Sequence, residues 1–247
     1  MFTDDRTMAE GADVFRVAGL WRYPVKSLGG ESLEASRVGQ HGLPGDRAFG
    51  IVDAGTGNVL TARKEPRLLF ATASWHHGDV EIVAAGQRLD TDAALSEWLG
   101  RPVRLVRAGA EGGVYETPED FEGEAGWVSW RGPGYAWHDS SRTRVSLVSS
   151  TTLRGWAPQR FRANVLLDEG EDEDALVGKQ VQLGSAVLDV TKRIDRCVMV
   201  TRAQPEVPAD LDILRTIHKE RDGCFAVGAL VDKAGDVAVG DHLIYAG

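Results

Sequence analysis

Between residues 14 and 28, Val17, Gly19, Trp21, Tyr23 and Val25 alternate with Arg16, Ala18, Leu20, Arg22 and Pro24. A period of two with a broad apolar face predicts a strand, and Pro24, Gly29 and Gly30 predict its end in a turn. A glycine-rich loop, Gly42-Leu43-Pro44-Gly45, then opens through Asp46 and Arg47 into an apolar strand to Asp53. Residues 53–58 carry turn chemistry, so residues 59–63 are expected to return as the hairpin partner. Lys64-Glu65-Pro66-Arg67 breaks the chain before a further strand over 68–75. One helix is predicted here: Thr91 or Asp92 caps it, Ala94, Leu95, Trp98 and Leu99 share a face, and Gly100 ends it. It would plug a barrel formed by the short strands.

Residues 108–126 are rich in glycine and acid and read as a connection or mobile loop. Beyond them, residues 144–148 predict a strand leading into Ser149, Ser150, Thr151 and Thr152, whose hydroxyls could cap a short helix or face an anion. Residues 160–167 predict a strand with Arg160, Arg162 and Asn164 near its start. The acidic run 168–174 reads as a solvated loop, not a metal site. Residues 210–220 predict a helix, and strands over 225–231 and 242–245 are expected to join through a turn at 232–236. The pattern implies a mainly β, α+β protein with a few short helices, its first half a small barrel or sandwich, divided into residues 14–107, a connection at 108–126, and residues 127–247.

Composition narrows the function. At 247 residues and 26.7 kDa the chain can bury a sizeable core, and 43% hydrophobic with 26% charged residues is ordinary for a globular protein. A net charge of −9 argues against nucleic-acid and anionic-membrane partners. The polar start Met1-Phe2-Thr3-Asp4-Asp5-Arg6 shows no apolar signal core, and no run of about 18 apolar residues occurs. Two widely spaced cysteines, Cys197 and Cys224, suit a reducing compartment, so a cytoplasmic protein is expected.

The candidate chemistry centres on Lys192-Arg193-Ile194-Asp195-Arg196-Cys197-Val198-Met199-Val200-Thr201, where one cysteine lies between cations and an apolar run. A thiolate is a soft metal ligand and a nucleophile, and neighbouring cations lower the cost of its charge. The bland alternative is a small buried hydrophobe leading a strand. Lys26 and Ser27, at a strand-to-loop junction, and Arg47, at a strand start, could face a ligand or be solvated turn residues. Common sites are excluded: Gly178-Lys179 lacks the rest of a phosphate loop, and no strand-preceded G-x-G-x-x-G, H-E-x-x-H or G-x-S-x-G occurs. His76 and His77 are adjacent and would face opposite ways on a strand, and the six histidines suggest no zinc cluster.

Six pieces recur together in one family. Tyr23-Pro24-Val25-Lys26-Ser27, Gly45-Asp46-Arg47, residues 60–67, Phe161-Arg162-Ala163-Asn164, Arg196-Cys197 and Val239-Gly240-Asp241 resemble, in order, the MOSC proteins with an N-terminal MOSC β-barrel domain. This is the group of the mitochondrial amidoxime-reducing component and its bacterial relatives. The resemblance implies a molybdenum cofactor (molybdenum-molybdopterin) between two barrel-like regions, with the metal on Cys197. It also implies that Lys26, Arg47, Arg162 and Arg196 supply cations for it. Ser27, Ser149, Ser150, Thr151 and Asn164 would add hydrogen-bonding groups, and Asp46 would orient Arg47. Asp195 stands where relatives often have a small residue, the hydroxyl stretch lacks their acid, and the span from Arg107 to Ser140 is short. Cys224 is expected to be a buried strand residue.

The implied function is a molybdenum-dependent reductase of small N-oxygenated compounds. Electrons would come from an external redox protein, since no flavin, haem or iron–sulfur motif is present. A carrier of molybdenum cofactor or sulfur using Cys197 is the alternative, and a binding module without chemistry is a third.

Overall fold

The computed structural model describes residues 15–120, 125–170 and 172–246. The expectations for Met1 to Arg6, Val14, residues 121–124 and Glu171 lie outside these residues. No helix among the described residues is long and apolar enough to cross a membrane.

The strands are β1 (Phe15–Arg22), β2 (Glu31–Leu33), β3 (Ala35–Val38), β4 (Phe49–Asp53), β5 (Ala71–His76), β6 (Asp79–Ala84), β7 (Gln87–Arg88), β8 (Val103–Arg107), β9 (Val114–Asp120), β10 (Ala125–Arg131), β11 (Val145–Ser149), β12 (Val165–Asp168), β13 (Gln180–Leu183), β14 (Ala186–Asp195), β15 (Cys224–Lys233), β16 (Gly235–Ala238) and β17 (His242–Tyr245). The helices are α1 (Asp92–Leu99), α2 (Ser150–Leu153) and α3 (Asp212–Arg221). The fold is mainly β with three helices, as the sequence pattern implies.

Seven strands close into a barrel in the order β12-β11-β15-β14-β13-β17-β1, with β1 pairing back onto β12 and β2 attached outside β1. Alternation explains the closure: Phe15, Val17 and Leu20 of β1 point into one core with Leu147, Val165, Leu167, Leu188, Val227 and Leu243. The first strand of the chain therefore completes a barrel built otherwise from its second half.

Strand β3 pairs with β16, and strands β4 to β8 form a β4–β8 pair and a β5–β6–β7 sheet around a second core. Helix α1 follows its sequence signals, with Thr91 Oγ1 accepting from Ala94 N at 3.1 Å and Gly100 left-handed at φ 64°. Its Leu95 and Leu99 pack into this second core with Ile51, Leu68 and Val103, so it covers the N-terminal sheets and does not enter the closed barrel.

Several local expectations are corrected. Residues 59–63 are not a hairpin strand: Val59 makes a single bridge to Val52, and β4 takes β8 as its partner across the α1 connection. Pro66–Phe70 is a 3-10 turn, with the strand beginning only at Ala71, because proline presets φ at its first position. Pro158–Arg160 is likewise a 3-10 turn, and the following strand starts at Val165. Within the segment 108–126, residues 114–120 are not loop but strand β9, antiparallel to β10. The strands β15 and β17 do not form a hairpin; β16 intervenes and pairs with β3.

The acidic run is solvated only in part. Glu173 is fully buried, and its carboxylate accepts from Ser149 N at 3.0 Å, Thr152 Oγ1 at 2.6 Å and Ala226 N at 3.2 Å.

Candidate functional site

After β1, the Tyr23-Pro24-Val25 segment bridges to Phe49, and Lys26 N donates to Phe49 O at 2.8 Å. This turns Lys26 inward, where its side chain is only 6% exposed. Lys26 Nζ donates to Asp139 Oδ1 at 2.6 Å and Trp137 O at 3.2 Å, and lies 4.8 Å from the Tyr115 ring centroid. Burial pulls the Lys26 amine below its usual range, and Asp139 opposes that shift. Ser27 Oγ accepts from Ala62 N at 3.0 Å.

Arg47 is held by an ion pair with buried Asp46, as expected from the sequence, and donates from Nη2 to Arg162 O at 3.0 Å. Arg162 donates to Leu28 O. Both guanidiniums flank the Tyr23 ring, at 5.3 and 4.8 Å. Burial pushes the Tyr23 hydroxyl up to about 12 even though both arginines pull it down. Ser27, Arg47 and Arg162 all adopt left-handed backbone, with φ of 71°, 50° and 55°. For non-glycine residues that conformation costs on the order of 1 kcal/mol or more each, and such strain gathers where a site must hold a geometry.

Arg196 enters from the end of β14, donating from Nε to Phe225 O at 2.7 Å and from Nη1 to Phe161 O at 3.0 Å. Its Nη2 is buried without a hydrogen-bond partner. Burial lowers both Arg162 and Arg196 to about 10, with Arg47 adding to the effect, so both stay charged at neutral pH. Among the described residues neither forms an ion pair.

Cys197 directly precedes the 3-10 turn Val198–Thr201, which replaces the strand expected there. A cavity of about 540 Å³ is lined by Cys197, Met199 and Val200 together with Lys26, Ser27, Arg47, Arg162 and Arg196. A smaller one, about 160 Å³, shares Arg47, Asp139, Arg162 and Arg196 and adds His138, Ser146 and Asn164. The large cavity thus joins residues from the N-terminal turn and from the barrel, within the size range of small-ligand sites.

Not every sequence-picked residue is alike. Asn164 lines only the smaller cavity, and its amide is engaged: Oδ1 accepts from Ser146 N and Oγ, and Nδ2 donates to Trp21 O. Ser149, Ser150 and Thr151 line neither cavity. Ser149 Oγ caps α2 by accepting from Thr151 N, and Thr151 Oγ1 donates to Gly170 O. Cys224 is half-buried at the first position of β15, its Sγ donating to Asp195 Oδ1 at 3.6 Å. Burial and the Asp195 charge push its thiol up.

The sequence reading missed Tyr115, Glu116, Thr117, Trp130 and Asp139, all of which line the large cavity. It also missed His138, which is 4% exposed, has Nε2 without a partner, and is held down to about 3 by burial and nearby cations. The Trp137-His138-Asp139 cluster and the aromatics at 115, 127 and 130 were the available signals.

The donor set fits an anionic, metal-bearing group: one thiol, six lining cations (Lys26, Arg47, Arg63, Arg160, Arg162 and Arg196) against three lining acids (Glu116, Asp139 and Asp195), and an orphaned guanidinium nitrogen. The MOSC N-terminal beta barrel domain matches residues 14–114 and the MOSC domain residues 132–244. Among solved structures, the YuaD protein from Bacillus subtilis is 16% identical over 93% of this chain and 94% of its own, with a TM-score of 0.49. YiiM from Geobacillus stearothermophilus is 15% identical over 56% of this chain and 75% of its own, with a TM-score of 0.35. No curated protein matches. The chain belongs to the MOSC-domain proteins that carry an N-terminal MOSC β-barrel domain, a family associated with binding or sulfurating the molybdenum cofactor.

Proposed function

We propose that the protein is a molybdenum-cofactor-dependent reductase of small N-oxygenated compounds, using electrons from an external redox protein. The observation that carries this reading is the cavity in which Cys197 faces the same space as six cations, of which Arg162 and Arg196 form no ion pair among the described residues. When bound, the molybdenum cofactor supplies two-electron oxygen-atom chemistry. The chain's part is to hold and orient it.

Cys197 would ligate the metal as a thiolate. Arg162 and Arg196, fixed by backbone carbonyls at Leu28, Phe161 and Phe225, would present their remaining N–H groups to phosphate or pterin. Arg47 is held in place by Asp46 and needs no rearrangement to join them. Lys26 would exchange part of its contact with Asp139 for the anion. The overall change is R–NHOH + 2 e⁻ + 2 H⁺ → R–NH₂ + H₂O, with both electrons delivered by the partner protein. Contacts drawn from residues 26–47 and from 162–197 favour a tightly held cofactor, because both parts of the chain must release it together.

The test is multiple-turnover reduction of an amidoxime or hydroxylamine by molybdenum-loaded protein with a chemical reductant. Cys197→Ala should keep the fold and lose turnover. Loaded protein that stays inert across such compounds, yet hands its cofactor or sulfur to an apo-enzyme, would replace this reading with the carrier one.

A further inference from the structure

The β9–β10 hairpin pairs with no other strand among the described residues, yet it contributes Tyr115, Glu116, Thr117 and Trp130 to the cavity that contains Cys197. Tyr115 is 1% exposed and fixed from three directions. It stacks on Trp130 at 5.0 Å and 25°, meets the edge of Trp137 at 6.2 Å and 80°, and takes Lys26 Nζ over its ring. Trp130 lies on top of this support and is only partly buried, so it keeps aromatic surface available beyond the stack. The nearest hairpin carboxylate, Glu116, is tied to Lys64 at 2.7 Å, and Lys64 also lies over Trp127 at 5.1 Å. Charge on this wall is therefore matched within it.

Resting on the reductase reading, we propose that the Tyr115–Trp130 stack is the substrate-side wall of the cavity, and that it selects planar, conjugated N-oxygenated compounds by stacking them against Trp130. A flat aryl group gains offset stacking there that an alkyl group of equal size does not. The pterin is also flat, but Arg47, Arg162 and Arg196 line both cavities whereas Tyr115 and Trp130 line only the larger one. Arg47, Arg162 and Arg196 thus reach on into the smaller cavity, away from the aromatic wall, whereas Lys26 sits over Tyr115, so the uncovered part of Trp130 is left for the second ligand.

The experiment compares wild type, Trp130→Leu and Trp130→Phe as loaded holoenzymes, with an aryl and an alkyl amidoxime. The aryl preference, read as the ratio of alkyl to aryl KM, should fall about 3- to 10-fold in Trp130→Leu and return in Trp130→Phe. Calorimetric binding of an aryl amidine, which needs no turnover, should weaken in parallel. Molybdenum and pterin content should stay at the wild-type level. Loss of pterin from Trp130→Leu would assign the wall to the cofactor and overturn the proposal, as would an unchanged KM ratio with unchanged amidine binding while turnover persists. If wild type reduces neither compound but binds the amidine in a Trp130-dependent way, the reductase reading fails and the wall stands as a ligand site.

Discussion

Two clusters of partly and fully buried charge meet the start of β15 and behave differently. In one, Arg221 faces Asp172 at 2.6 Å, Asp174 at 2.9 Å and Glu173 at 3.5 Å, while Arg193 faces Asp174 at 2.9 Å and Asp222 at 3.3 Å. In the other, Lys26, Arg47, Arg162 and Arg196 have, among the described residues, only Asp46 and Asp139 as ion-pair partners. The acids at 172–174 lie close enough to suggest a metal site, but two arginines already occupy their charge. A cluster whose arginines are each held by several carboxylates ties α3 and β14 to the 3-10 turn Glu173–Leu176 and holds the fold. A cluster with surplus positive charge keeps that capacity for something outside the chain.

This contrast can be broken most forcefully at Arg221. Its side chain is 11% exposed and removing it strands the fully buried Glu173 as well as the partly exposed Asp172 and Asp174, so Arg221→Ala should cost about 3–5 kcal/mol in urea unfolding. A loss below about 1 kcal/mol, as for a surface pair, would mean that this paired cluster does not hold the fold.

The cavity arginines should show the reverse profile. Arg162→Ala and Arg196→Ala should each weaken cofactor affinity about 10- to 100-fold while destabilising the chain less than Arg221→Ala does. Cofactor retained in full by both variants after extensive dilution would place the cradle elsewhere.

A smaller effect concerns pH. Burial raises the Asp172 carboxyl, but the hydrogen bonds from Arg221 and the Asp174 amide, with the charges of Arg221 and Arg193, together outweigh it and hold the group below its usual range. A lowered native pKa contributes stability above the ordinary carboxylate range, which is lost as pH falls through the lowered value, below about pH 4. Thermal midpoints of wild type and Asp172→Asn should therefore differ near pH 7 and converge toward pH 3. A constant gap across that range would remove Asp172 from the account.

What the sequence made legible follows from how local each signal is. Thr91 and Gly100 bound α1 because capping uses contacts within one turn, and β1 is visible in the alternation from Val17 to Tyr23. That β1 closes a barrel against Val165–Asp168 is not visible, because those partners are nearly 150 residues apart and nothing near β1 names them. Glu173 looked solvated because the atoms that satisfy it come from residues 149, 152, 221 and 226. The hairpin was hidden by its glycine and acid content, although Tyr115, Trp127 and Trp130 were unlikely companions for a loop. Lys26, Arg47, Arg162, Arg196 and Cys197 were picked out through short motifs, and the fold gathers them around one cavity. Ser149 to Thr151 show the limit of that route, since a hydroxyl run after a strand serves a helix cap as readily as an anion.

The most direct measurement is molybdenum and pterin content of the protein purified from a cofactor-competent host, set beside that of an Arg162→Ala/Arg196→Ala double variant shown to be folded. The account predicts about one molybdenum and one pterin per wild-type chain and strong depletion in the double variant. Folded wild type that carries neither, or a double variant loaded as fully as wild type, would contradict it.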